Sequence, residues 1–167
     1  TSLIVDADVL QITCRYAKLC HMTSGDLDHV HAMWRDDRAS AGIGIELVDV
    51  GVRDGLGFAE TTMTVSQSQV NGHDIAHGGY LFTFADSTFA LACNATGQFT
   101  VASGGDITFV TSARLDDELR CVATERAKFG RSGITDVTVT RVSDGALIAE
   151  FRGRSRSIPQ RAKESEK

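Results

Sequence analysis

The spacing of hydrophobic and polar positions changes period several times along this 167-residue chain. His29–Ala39 is polar and reads as a helical lead-in. Ile43, Ile45 and Leu47 then alternate with Gly44 and Glu46, the two-residue period of a half-buried strand. Asp54-Gly55 is a hairpin signal, and Phe58–Val65 returns as a second strand. A polar loop over residues 66–77 leads into a different pattern. From Gly78 to about Ala95, apolar residues occupy every face of a predicted helix, which implies a helix enclosed by protein, with Gly97 placed to stop it. Four strand-like runs follow, Phe99–Val110, Glu118–Phe129, Ser132–Val142 and Ala146–Ser157, with tight reversals at Gly130 and Asp144-Gly145. A doubly wound sheet needs helices between successive strands, and the pattern has none. The expected fold is therefore α+β: an antiparallel curled sheet of about six strands wrapped around one long central helix.

Composition narrows the class. With 42% hydrophobic and 23% charged residues the chain reads as an ordinary globular domain, and a net charge of −5 argues against a nucleic-acid partner. No apolar run approaches the roughly 20 residues of a membrane helix. Cys14, Cys20, Cys93 and Cys121 form no CxxC pair. Cys93 and Cys121 fall in apolar runs, so they read as buried free thiols, and a reducing, cytoplasmic setting is expected. No secretory leader is recognisable in the first residues. The chain does not begin with Met, and Met22 and Met33 are both candidate starts, so residues 1–21 are set aside from the functional reading. The expected division is an N-terminal extension over 1–35, one domain over 36–158 and a polar tail over 159–167.

Candidate chemistry concentrates in Asn71-Gly72-His73-Asp74-Ile75-Ala76-His77-Gly78-Gly79 and the helix after it. A helix that opens on Gly78-Gly79 offers unpaired backbone N–H groups and a partial positive charge, suited to a carbonyl oxygen becoming negative. Asp86 is a lone carboxylate in an apolar stretch, where charge is expensive and acid/base or nucleophilic groups are found. Together they point to acyl-group chemistry. Each residue also has a purely structural reading: Asp86 bonded to Ser or Thr neighbours, Gly78-Gly79 allowing close packing, His77 as a turn or capping residue, Asn71-Gly72 as an ordinary turn.

These elements, with Leu81-Phe82-Thr83-Phe84-Ala85-Asp86-Ser87-Thr88-Phe89-Ala90 and Ala92-Cys93-Asn94, resemble the PaaI-type (phenylacetic acid degradation) branch of the hydroxybenzoyl-CoA thioesterase superfamily over about residues 36–158. The resemblance implies the hotdog fold and hydrolysis of acyl-CoA thioesters, of aryl or arylacetyl type, to the free acid and CoA. It implies no metal and no separate cofactor, coenzyme A being part of the substrate. Asn71, the glycine amides and Asp86 would carry the reaction, with His77 next and His73 structural. Asp86 lies eight residues after Gly78, about 12 Å along one helix at 1.5 Å per residue. Both must come within roughly 3 Å of the reacting centre. One helix cannot meet that requirement; two antiparallel copies can. A homodimer is the expected catalytic unit, and family members commonly pair into homotetramers.

Arg126, Lys128 and Arg131 around the Gly130 turn are candidate partners of coenzyme A phosphates. The row Arg152, Arg154, Arg156 reads as a solvated sheet face. Phe82, Phe84 and Phe89 could line an aryl pocket, with core packing the default. Two other functions compete: a hotdog dehydratase or hydratase of hydroxyacyl thioesters, and a non-catalytic acyl-CoA sensor. The first wants a His with a Glu or Asp partner and a Pro-rich helix start, whereas Pro159 is the sole proline; the second wants a DNA-binding segment, and the lead-in has few basic residues.

Overall fold

The computed structural model describes residues 27–159. In chain order the elements are α1 (Asp28–Asp36), α2 (Arg38–Gly42), β1 (Glu46–Arg53), β2 (Leu56–Thr64), α3 (Gly78–Asn94), β3 (Thr100–Phe109), β4 (Glu118–Phe129), β5 (Ser132–Arg141) and β6 (Leu147–Ser157). All strand pairs are antiparallel in one sheet of order β1-β2-β4-β5-β6-β3. The sheet curls around α3, as the periodicity predicts. Chain connectivity inserts α3 between β2 and β3, and the long β3–β4 connection carries the chain across to pair β4 with β2. β3 is thereby left as an outer edge.

Two expectations at the start of the domain shift. The lead-in is two helices rather than one, broken at Asp37, whose carboxylate accepts from the Ser40 N–H at 3.0 Å and from Ser40 Oγ at 2.6 Å and so starts α2. The first strand begins at Glu46, not Ile43: Gly44 has φ +77°, and both Ile43 and Ile45 donate their N–H to Ser40 O. The apparent alternation is a helix end followed by a turn. Upstream of residue 36, Val30 of α1 is fully buried and His29 Nε2 bonds Asn94 O at 2.8 Å. Cys14 and Cys20 lie outside the described residues.

Strict alternation sorts the sheet into two faces. Ala59, Thr61 and Met63 of β2, Leu119, Cys121 and Ala123 of β4, and Val137 and Val139 of β5 point inward against Leu81, Phe84, Ala85, Phe89 and Leu91 of α3. Cys93 and Cys121 are buried free thiols, and desolvation pushes each up to about 12, so both are inert. The outer face is charged: Arg120 pairs with Glu60, Arg152 with Asp136 and Arg154 with Asp106. The arginine row is thus a solvated face, as expected, with Asp136 held below the ordinary carboxylate range by its hydrogen bond from Arg152.

Small residues decide how closely α3 seats. A Cβ at Gly57 would stand 1.8 Å from the Ala92 carbonyl oxygen, and one at Gly153 would stand 2.5 Å from the Phe89 ring. Gly57 also donates its N–H to Glu125, a carboxylate 1% exposed that meets Lys128 Nζ at 3.4 Å. Replacing Gly57 by Ala forces backbone against backbone, so Gly57→Ala is expected to cost about 4 kcal/mol in urea unfolding, at the severe end for single substitutions.

Candidate active site

The segment Val70–His77 turns back on itself before α3 starts. Val70 and Ala76 form an isolated antiparallel bridge, and Asn71 N donates to Ile75 O at 2.8 Å. Asn71 Oδ1 accepts from the His73 N–H at 2.8 Å, an Asx turn that fixes its side chain. Its amide nitrogen has no partner among the described residues. His73 contributes its backbone here, in line with a structural role.

His77 is the N-cap of α3, with φ −67° and ψ 131°. Its Nδ1 accepts from the Gly79 N–H at 2.9 Å, which requires a neutral ring with its proton on Nε2. One consequence separates the two glycines. The Gly79 amide, expected as an alternative oxyanion donor, is already occupied by the cap. Tyr80 and Leu81 donate to His77 O. Among the first-turn donors, Gly78 N–H alone has no partner among the described residues. The space that a Gly78 Cβ would take is filled by the Phe109 ring, 2.8 Å away. Glycine is needed here for close aromatic packing, not only for open approach.

Gly78 and Asn71 line one cleft of ≈ 280 Å³ with Ile75, Leu81, Phe109 and the strand end Val110–Ala113. No ionisable side chain lines it. An unpaired amide at a helix start, in uncharged surroundings, is well disposed toward developing negative charge. The cleft by itself has no acid, base or strong nucleophile.

Asp86 lies about 12 Å further along α3, counting 1.5 Å per residue. It is half-buried on the stripe of α3 that the sheet leaves uncovered, with Phe82, Thr83, Phe89 and Ala90 one turn away. Desolvation raises its pKa above the ordinary Asp value. The neighbouring hydroxyls are engaged elsewhere: Ser87 with Ser40, Thr83 with Gly79 O, and Thr88 with Phe84 O and Thr61. Asp86 has no hydrogen-bond partner among the described residues, so the structural reading, a carboxylate tied to Ser or Thr neighbours, does not account for it. The expectation of a fully enclosed helix is corrected here: one stripe, carrying Asp86, is left open because the curled sheet covers only the other faces of α3.

The candidate coenzyme A cluster gathers only in part. Arg126 is on the outer face, 3.6 Å from Asp136. Lys128 turns inward, to Glu125 and to Thr96 Oγ1. Lys128, Gly130 and Arg131 border a small crevice at the C-terminal end of α3, the end remote from Gly78. The phenylalanines also sort differently. Phe84 and Phe89 are core residues, and Phe82 packs edge-on against Phe151 at 5.3 Å between centroids. None lines the cleft. The aromatic ring that does, Phe109, went unnoticed in sequence because it ends a strand whose partner on one side is missing. Glu125 was legible in principle, since Cys121, Ala123 and Glu125 share inward parity.

A curled antiparallel sheet around a helix, with an unpaired N-terminal amide in an uncharged cleft, defines a hotdog-type protein equipped for acyl-group chemistry. The thioesterase superfamily profile matches residues 73–148. The acyl-coenzyme A thioesterase PaaI of Escherichia coli is 35% identical over 130 residues, 78% of this chain and 89% of that protein. A putative esterase of Archaeoglobus fulgidus is 29% identical over 146 residues, 87% of this chain and 89% of its own length. The solved structure of E. coli PaaI, from the phenylacetic acid degradation operon, superposes with a TM-score of 0.74 at 34% identity, covering 80% of this chain and 94% of that one. A mutant of the phenylacetic acid degradation protein PaaI from Thermus thermophilus gives 0.64 at 26% identity, covering 71% and 97%. The chain belongs to the PaaI-type branch of the thioesterase superfamily and is a thioester hydrolase of the hotdog fold.

Proposed function

We propose that this enzyme hydrolyses acyl-CoA thioesters, of aryl or arylacetyl type, at two sites shared across a homodimer. The observation that carries this reading is the separation within one chain of Gly78 N–H, at the helix start, from the half-buried carboxylate of Asp86, neither with a hydrogen-bond partner among the described residues. A thioester carbonyl is already electrophilic, so the chemistry needs oxyanion stabilisation and either an activated water or a carboxylate attack, without a metal or further cofactor. Gly78 N–H holds the carbonyl oxygen. Asp86 of the partner subunit removes a proton from water or attacks directly. The Asn71 amide steadies the water or the carboxylate. His77 acts through the helix cap, holding the Gly79 amide and with it the aim of Gly78 N–H.

The two free edges of the sheet support this pairing. β1 carries Glu46, Asp49 and Arg53 and a bulge at Leu47–Asp49, devices that discourage strand addition. β3 has one charged residue, Asp106, already paired to Arg154, and exposes Phe99, Val101, Phe109 and Val110 at or beside its ends. Two copies joined along β3 by a two-fold axis would set their α3 helices side by side in opposite directions, bringing each Asp86 toward the other Gly78. The same pairing carries the C-terminal end of one α3, with Arg131, which has no ion-pair partner among the described residues, toward the other subunit's cleft, where coenzyme A phosphates could meet it. Further pairing into a tetramer extends the same proposal, and a reducing cytoplasm suits the buried thiols.

Co-expression of Asp86→Asn and Gly78→Pro chains tests the shared site. Neither variant alone is expected to turn over acyl-CoA appreciably. Random mixing makes half of the dimers mixed, each with one intact site, so about a quarter of wild-type activity returns. A mixture as inactive as its parents would place both groups in one chain's site and remove the dimer reading.

A further inference from the structure

Phe109 is the one aromatic side chain that lines the cleft, and it is 52% exposed at the end of β3. Its ring packs on Gly78 so closely that a Cβ there would lie 2.8 Å from Cζ and 3.1 Å from Cε2. The ring and the Gly78 amide therefore border the same cleft, so a thioester held there meets both. The lining also includes the aliphatic Ile75 and Leu81 and the small, buried Ala76 and Ala113.

Resting on the thioesterase reading above, we propose that Phe109 is the specificity-determining residue of the acyl pocket, a platform on which the ring of an aromatic acyl group stacks. A ring held against an aromatic face gains an offset or edge-to-face contact that a straight alkyl chain does not reproduce. Ile75 and Leu81 line the same cleft, so the surroundings of the ring are apolar. Phe109 is half-exposed in one protomer, so truncating it leaves the core intact; because it stands on the edge strand proposed for the dimer, rates are compared only for variants that elute as dimers in size-exclusion chromatography.

The test compares wild type, Phe109→Ala, Phe109→Leu and Phe109→Tyr with phenylacetyl-CoA and hexanoyl-CoA as probes. Phe109→Ala and Phe109→Leu should lower kcat/KM for phenylacetyl-CoA by about tenfold, through KM, while hexanoyl-CoA changes by less than about threefold. Phe109→Tyr should retain the aromatic preference. Equal losses for both thioesters, or a loss confined to kcat, would mean that Phe109 only positions Gly78, and overturn the platform while leaving the thioesterase reading standing. Unchanged selectivity in all three variants would overturn it as well. A wild-type enzyme that cleaves neither probe would overturn both.

Discussion

Asp86→Asn is expected to lower turnover of an acyl-CoA substrate by about 10²–10⁴-fold, the range for loss of a positioned base, and by more if the carboxylate attacks directly. The same substitution is expected to raise the midpoint of thermal unfolding at neutral pH. The reason is one and the same. Asp86 is half-buried on the open stripe of α3, one turn from Phe82 and Phe89, without a hydrogen bond among the described residues, and desolvation lifts its pKa above the ordinary Asp value. A carboxyl group with a raised pKa in the folded state binds its proton more tightly there than in the unfolded chain. Its ionisation therefore opposes folding. That penalty is absent below about 3.8, sets in as pH rises through the elevated folded value, and is complete above it. The neutral amide escapes it, so the stability difference between variant and wild type should shrink to nothing on acidification. The activity of the wild type should fall on its acid side at a pH above the ordinary Asp range, because the ionised form does the work. Calorimetry across pH and steady-state rates check both limbs. An Asp86→Asn enzyme with wild-type turnover would falsify the assignment of the base or nucleophile.

Gly78→Pro is expected to reduce kcat by about 10²–10³-fold with the fold preserved, the usual effect of removing one oxyanion donor. Proline suits this position better than most. Gly78 is the first residue of α3, where a missing N–H breaks no helical bond and φ near −65° is already required. His77 before it has ψ 131°, the extended conformation that a residue preceding proline prefers. The nearest obstacle is the free end of the Phe109 ring, which can move. The substitution therefore deletes one N–H while keeping the helix start, and Gly78→Ala, which meets the same Phe109 ring but keeps its N–H, is the control for displacement of that ring. Circular dichroism and unfolding should match wild type, and KM should change less than kcat. A Gly78→Pro enzyme of normal kcat would send the search for the oxyanion donor elsewhere.

Much of the architecture was legible in the pattern of residues. β4, β5 and β6 were bounded to within a residue or so because alternation and the glycine turns Gly130 and Gly145, both with positive φ, are local signals. The extent of α3 was legible for the same reason: its apolar run begins on Gly78-Gly79 and ends before Gly97. The lead-in misled because Asp37 can either continue a helix or cap a new one, and only the Ser40 contact selects between them. Ile43–Ile45 imitated a strand because a turn and a strand can bury the same alternate residues.

The amino-acid order alone determined that there is one buried helix among antiparallel strands, that its first turn carries glycines, and that a lone carboxylate lies too far along it to share their site within one chain. Those facts follow from periodicity and rise per residue, which are properties of neighbours in sequence. Folding in three dimensions decided which amide is free, since His77 closes on Gly79 and leaves Gly78 open. It also decided that Phe109, 31 residues beyond Gly78, walls the cleft, and that Arg126 and Lys128 part to opposite faces. Contacts of that kind depend on strand order and register, which bring distant segments together and leave no local trace in composition or spacing.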